Sequence, residues 1–122
     1  MEHQVTINGK EYTLTLDLGK FFKITQKDPE IQIKLFTGGL GPYGTLELFA
    51  QLADVSVNSI VTDPEFKLVH LSDYEYAILE VLVPFFKGQG LLPEEFNLPE
   101  KDEYYKMAEQ VVTAELVKKL SL

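Results

Sequence analysis

The stretch Leu71 to Phe86, LSDYEYAILEVLVPFF, limits most tightly what this chain can fold into. From Ala77 it runs through Ile78, Leu79, Val81, Leu82, Val83, Phe85 and Phe86, with Glu80 the single charge before Lys87. A helix that is apolar on nearly every side must lie at the centre of a small domain or be shared with a partner. Ser72 and Glu75 stand at capping-box spacing, and Leu71 and Tyr76 at the two positions of a hydrophobic staple, which predicts a helix over about 72–86. Pro84 has no N–H, and its ring clashes with the carbonyl four residues back. The helix is therefore expected either to end near Val83 or to kink there.

Length and composition bound the rest. A chain of 122 residues is enough for one ordinary domain, 1–122, and too short for two. A domain of this size buries roughly two-thirds of its unfolded surface, so it needs neither disulfide nor metal to fold. With no cysteine, thiolate catalysis and cysteine zinc sites are excluded. MEHQVTINGK lacks the apolar run of a signal peptide, and no stretch approaches the ~20 apolar residues of a membrane span. The expectation is a soluble intracellular protein with no membrane association. The basic residues are all lysines, eleven against nineteen carboxylates, and the net charge is −8. An acidic chain repels nucleic acid and lacks the bidentate arginine fork, so nucleic acid is not an expected partner.

QVTINGKEYTLTL, residues 4–16, reads as a hairpin. Asn8-Gly9 suits a two-residue turn that needs positive φ at both positions. Such a turn sets Val5 opposite Tyr12 and Thr6 opposite Glu11, putting Val5, Ile7, Tyr12 and Leu14 on one apolar face. A four-residue loop keeps that parity, and a three-residue loop breaks it. The apolar face needs a helix to cover it, since an isolated hairpin is only marginally stable. Asp17 is the expected N-cap of a helix over 18–27. Leu18, Phe21, Phe22 and Ile24 form its apolar side, and Lys20, Lys23 and Lys27 are expected in water. Residues 31–36 alternate like a strand at Ile31, Ile33 and Leu35, yet Ile31, Leu35 and Phe36 fit a helix, which is favoured. Helical spacing of Leu46, Phe49, Ala50, Ala53, Val57, Ile60 and Val61 predicts a helix over 45–61, with a possible break at Asp54-Val55-Ser56. Lys67 to Leu71 is a short strand or a connector. The last helix is expected over 99–120, with the stripe Tyr105, Ala108, Val112, Leu116, Leu120 and with acidic residues at its positive end. The fold class is α+β: an N-terminal β-hairpin packed on a bundle of about four to five α-helices.

Residues that could carry chemistry are sparse. His3 and His70 have no third ligand at metal spacing, Ser72 is assigned to a cap, and no serine stands in a nucleophile elbow. Gly39, Gly41 and Gly44 carry the letters of a dinucleotide-binding fingerprint, but no buried parallel strand leads in and Pro42 interrupts them, so a structural loop is the better reading. No catalytic, metal-binding or cofactor-binding residue is expected. Three adjacent aromatic pairs stand out: Phe21-Phe22, Phe85-Phe86 and Tyr104-Tyr105. Neighbours on a helix point about 100° apart, so one ring of each pair is expected in the core and the other at the surface, unless the core is wide enough for both. Exposed aromatic patches mark interaction sites, which makes these six residues the candidate partner-binding surface.

The opening VTINGKEYTLTLDLGKFFKI resembles the tail assembly chaperones of long-tailed bacteriophages and prophages of Gram-positive bacteria. Those proteins commonly begin with a hairpin of the form xxINGKxYxLxFxxxAxxx that leads straight into a helix. Ile7-Asn8-Gly9-Lys10, Tyr12 and Leu14 match it over about the first quarter of the chain, while Phe21-Phe22 stands where the family usually has an alanine. The resemblance implies a non-enzymatic protein in the cytoplasm of the bacterial host. It would coat the tape-measure protein to keep it soluble during assembly, recruit the tail tube protein, and self-associate as a homo-oligomer. A longer product made by ribosomal frameshifting is also a family trait. A partner's apolar helix would lie against Phe22, Phe86 and the Tyr104/Tyr105 end. Two rival readings are another phage structural part, such as a connector, and a small-molecule-binding protein or enzyme that uses the glycine-rich loop.

Overall fold

A computed structural model describes residues 2–37 and 39–106 of the chain. Asn8 and Gly9 both take positive φ, 54° and 78°, so the backbone reverses through a two-residue type I′ turn. This pairs β1 (Glu2–Ile7) with β2 (Lys10–Thr15) antiparallel, Val5 opposite Tyr12 and Thr6 opposite Glu11. Ile7, Tyr12 and Leu14 are buried on one face, while Gln4, Thr6, Glu11 and Thr13 are exposed on the other. The Asn8 side-chain amide donates to the Glu65 carbonyl, which fixes the turn against the middle of the chain.

Helices follow, which makes the fold α+β. Asp17 caps α1 (Leu18–Lys27): its carboxylate accepts the Lys20 N–H at 2.7 Å. α2 (Ile31–Thr37) leads through a tight turn at Gly39-Leu40 into α3 (Gly41–Ala53). This start lies four residues ahead of the expected Thr45. Pro42 in the first turn suits a helix start, where its missing N–H costs nothing. α3 ends at Asp54, which takes a left-handed φ of 55° and donates its N–H to the Ala50 carbonyl. A short side chain that tolerates this conformation divides the expected 45–61 helix in two. Ser56 then caps α4 (Val57–Val61) by accepting the Ser59 N–H.

The longest described helix, α5 (Leu71–Gly88), overturns the expected capping box and, of the two outcomes expected at Pro84, removes an end near Val83. A 3-10 turn at Leu68–His70 runs straight into it, so Leu71 is already helical and Ser72 lies inside the first turn. The capping box does not form, and the Glu75 carboxylate accepts from the Tyr104 hydroxyl instead. The helix also continues past Pro84 to Gly88. Pro84 is exposed, so the missing hydrogen bond falls on the solvent side, where water can reach the Glu80 carbonyl. Residues 101–106 form α6, the described beginning of the expected 99–120 helix. The rest of that prediction, with Ala108, Val112, Leu116 and Leu120, lies outside the described residues.

α3 and α5 pack on each other and on the hairpin, with β2 against α3 and β1 against α5. Phe49 of α3 is fully buried at this junction. Its ring stands edge-on to Tyr12 of β2 at 5.0 Å and to Tyr74 of α5 at 4.8 Å. Such pairs contribute about 0.5–1.5 kcal/mol each beyond the area they bury. Leu14, Leu52, Ile60, Ile78 and Val81 complete the centre of the core.

Candidate partner-binding surface

The three aromatic pairs fare differently. On α1, Phe21 faces inward and Phe22 is 61% exposed, as the 100° step between neighbours requires. Phe21 packs between the rings of Phe85 and Phe86, at 5.3 and 5.9 Å. That contact covers a side of α5 that would otherwise meet water. Phe85 and Phe86 are therefore both buried, and the expectation that one ring of this pair lies at the surface is corrected. Phe86 cannot form part of a docking face in this conformation. Leu18, one turn before Phe22, is also exposed, so the two make a small apolar stripe on α1.

Tyr104 and Tyr105 are both half-buried and point back at α5. The Tyr104 hydroxyl donates to Glu75 at 3.0 Å and the Tyr105 hydroxyl to Asp73. Tyr76 of α5 completes the arrangement by donating to the Pro99 carbonyl at 2.9 Å, with its ring 5.5 Å from that of Tyr104. Lys101 lies 3.9 Å from Asp73 and over the Tyr105 ring. Burial pushes the Tyr104 and Tyr105 phenols up from their ordinary range, and the carboxylates they face, Glu75 and Asp73, add to this. Tyr76 is raised first by burial and then by the charges of Glu80 and Glu100. These tyrosines thus act as a zip between α6 and the first turns of α5 rather than as free rings.

Between α2, the α2–α3 turn, α5 and Tyr104 lies a cavity of about 190 Å³. Leu35, Leu40, Pro42, Leu71, Ile78 and Leu79 supply its apolar wall, and Lys34, Thr45, Glu75 and Tyr104 its polar groups. On the far side of α3 a groove runs along α1, lined by Ile24, Lys27 and Gln51 along its length. Lys20 closes one end of that groove. It was expected in water, but its ammonium reaches Thr15 Oγ1 at 2.6 Å, Asp54 Oδ2 at 3.1 Å and the Leu52 carbonyl at 3.3 Å. α3 leaves that carbonyl without an intrahelical donor, which draws the lysine inward. Lys27 pairs with Glu47 and Lys34 with Asp28, whose carboxyl is held low mainly by the Lys34 hydrogen bond.

The glycines make a turn between two helices. Gly39 donates to the Lys34 carbonyl, Gly41 has a φ of 70°, and the sheet of the described residues is a two-stranded antiparallel hairpin. His3 approaches Glu80 at 3.4 Å across the β1–α5 contact. Among the described residues no group of three or more His, Asp and Glu is placed to hold a metal ion. No helix of the described residues is long and apolar enough to cross a membrane. Sequence reasoning did not find the strongly exposed Leu68 and Val69, because a three-residue 3-10 turn has no periodicity to read. Comparison with protein-family models, curated proteins and solved structures finds no match.

Proposed function

We propose that this chain is a non-enzymatic assembly chaperone of the long-tailed phage type, binding a tape-measure protein and keeping it soluble before the tail tube forms around it. The observation that carries the reading is the opening supersecondary unit. The Ile7-Asn8-Gly9-Lys10 turn joins two strands in the register that buries Tyr12 and Leu14, and the Asp17 cap then sends the chain directly into α1. That is the hairpin-into-helix opening by which the sequence resembles those chaperones. Two further features favour a protein that holds another chain. Leu18 and Phe22 present an apolar stripe that the fold does not need for its core, and the net charge of −8 favours solubility while such a surface is exposed. The surface offered to the partner is Leu18 and Phe22 of α1. Within this reading the protein works in the bacterial cytoplasm as a homo-oligomer and contacts the tail tube protein.

The test is co-expression with a tape-measure protein from the same genome. The wild-type chain should carry it into the soluble fraction and co-purify with it. Phe22→Glu should melt like wild type and lose that effect. A tape-measure protein that stays insoluble with the wild-type chain, or that is solubilised equally by Phe22→Glu, overturns the proposal or its surface respectively.

A further inference from the structure

The hairpin has two outer edges, and the fold treats them differently. Ile7 and Lys10 flank the two-residue turn, so they form a hydrogen-bonded pair, and the alternation makes Val5–Tyr12 and His3–Leu14 such pairs too. The N–H and C=O groups of Glu2, Gln4 and Thr6 therefore point away from β2, and among the described residues they meet no backbone partner. All three residues are exposed. On β2 the outward row is Glu11, Thr13 and Thr15. Lys10 and Glu11 charge one end of that strand, and Lys20 and Asp54 close on Thr15 at the other. Charges of this kind, lysine above all, keep a sheet edge from pairing with another chain. β1 carries no lysine, proline or bulge, and its one carboxylate, Glu2, stands at its end.

The face turned to the helices is uneven in the same sense. Tyr12 and Leu14 of β2 are buried, whereas His3 and Val5 of β1, on that face, are only half-buried. A strand laid beside β1 would cover them. We propose that this strand is β1 of a second copy, paired antiparallel about a two-fold axis at Gln4. That register sets Gln4 opposite its own counterpart and Glu2 opposite the Thr6 of the other copy, and each pair exchanges two hydrogen bonds. It brings Val5 against the His3 of the other copy, in a pair whose side chains lie close, and no like charges face each other. An axis at Glu2 would oppose two carboxylates, and one at Thr6 would run Gln4 into the Asn8-Gly9 turn. The segment is thus its own complement, which favours a second copy over an unrelated strand. This dimer deepens the self-association within the chaperone reading without resting on it. The test uses the purified chain with no client, so either can fail alone.

Sedimentation equilibrium of the wild-type chain at rising concentration should show the mass climbing toward twice that of the monomer. Thr6→Pro removes an outward N–H and leaves the hairpin ladder whole. Gln4→Lys sets two lysines face to face at the axis. Both variants should melt like wild type and stay monomeric, and Gln4→Lys decides the matter if Thr6→Pro does not fold. Because the chain has no cysteine, Gln4→Cys is a clean probe. In the dimer its Cα lies about 5.5 Å from its counterpart, within disulfide range, so mild oxidation should give a covalent dimer. Thr13→Cys is exposed on the same face of the hairpin but would sit three strand spacings, ~14 Å, from its counterpart, and should stay monomeric. A wild-type chain that is monomeric throughout, a dimer that the folded variants leave intact, or equal cross-linking of the two cysteine variants overturns the proposal.

Discussion

Replacing Lys20 by Met tests how α1 is fastened to the rest of the domain. The substitution keeps most of the aliphatic stem and removes every donor. The ammonium bonds three acceptors, Thr15 Oγ1, Asp54 Oδ2 and the Leu52 carbonyl, and the lysine side chain is only 21% exposed. Hydrogen bonds from a charged donor contribute about 1.5–3 kcal/mol each. Ordering a lysine side chain costs up to about 2 kcal/mol. The Asp54 side chain is 69% exposed, so its ion pair with Lys20 contributes at most about 1 kcal/mol. The net loss should therefore be about 2 kcal/mol and come mostly from the two neutral acceptors. For a domain of this size that is a fall in melting temperature of roughly 6–12 °C. Asp54→Asn separates the terms, because Asn tolerates the left-handed backbone as well as Asp does. It should cost no more than about 1 kcal/mol. Thermal and urea melts of both variants, at low salt and in 1 M NaCl, check this. If Asp54→Asn costs as much as Lys20→Met, or if 1 M salt erases the effect of Lys20→Met, the exposed ion pair is the fastening and the reasoning fails.

Gly9→Ala should cost about 1–2 kcal/mol through backbone strain alone, since φ is 78° and no atom lies near an added methyl group; urea melts that show no loss would mean the turn has changed type. Phe49→Ala should cost about 3–5 kcal/mol, with much of the near-ultraviolet circular dichroism lost, because it empties the junction between Tyr12 and Tyr74; a loss below about 1 kcal/mol would show that the core collapses around the gap. Tyr74, Tyr104 and Tyr105 are all held above the ordinary phenol range by burial, so the stability they contribute is complete below about pH 10 and is lost as pH rises beyond it. Melting temperature should hold to about pH 9 and then fall, with phenolate absorbance at 295 nm lagging a free-tyrosine titration; ionisation at the ordinary phenol pKa without loss of fold would contradict this.

What could be read from the chain beforehand was what depends on near neighbours. The hairpin register followed from Asn8-Gly9 and the alternation around it, and the α1 cap from Asp17 three residues before Lys20. Where tertiary contacts decide, the sequence reading missed. Ser72 and Glu75 have the spacing of a capping box, yet the incoming 3-10 turn leaves no free start for it, and Tyr104 claims the glutamate. Lys20 has the spacing of a solvated lysine, but its partners Leu52 and Asp54 lie 32 and 34 residues away. Phe85 and Phe86 are both buried, with Phe21, from another helix, packed against their rings. The cavity joins α2, α3, α5 and α6, and no local pattern could announce it. The aromatic pairs were a useful signal at α1, where one ring does face out, and at α6, where both rings are engaged rather than free.

The three rings at the centre, Tyr12, Phe49 and Tyr74, come from the hairpin, from α3 and from α5. During synthesis the first two leave the ribosome well before the third, and at 5–20 residues per second the 25 residues between Phe49 and Tyr74 take on the order of a few seconds. Until α5 emerges, the greasy side of the nascent hairpin lacks the cover that α5 gives to β1. The order of translation thus leaves the hairpin and α3, for that interval, with an apolar face that α5 has yet to cover.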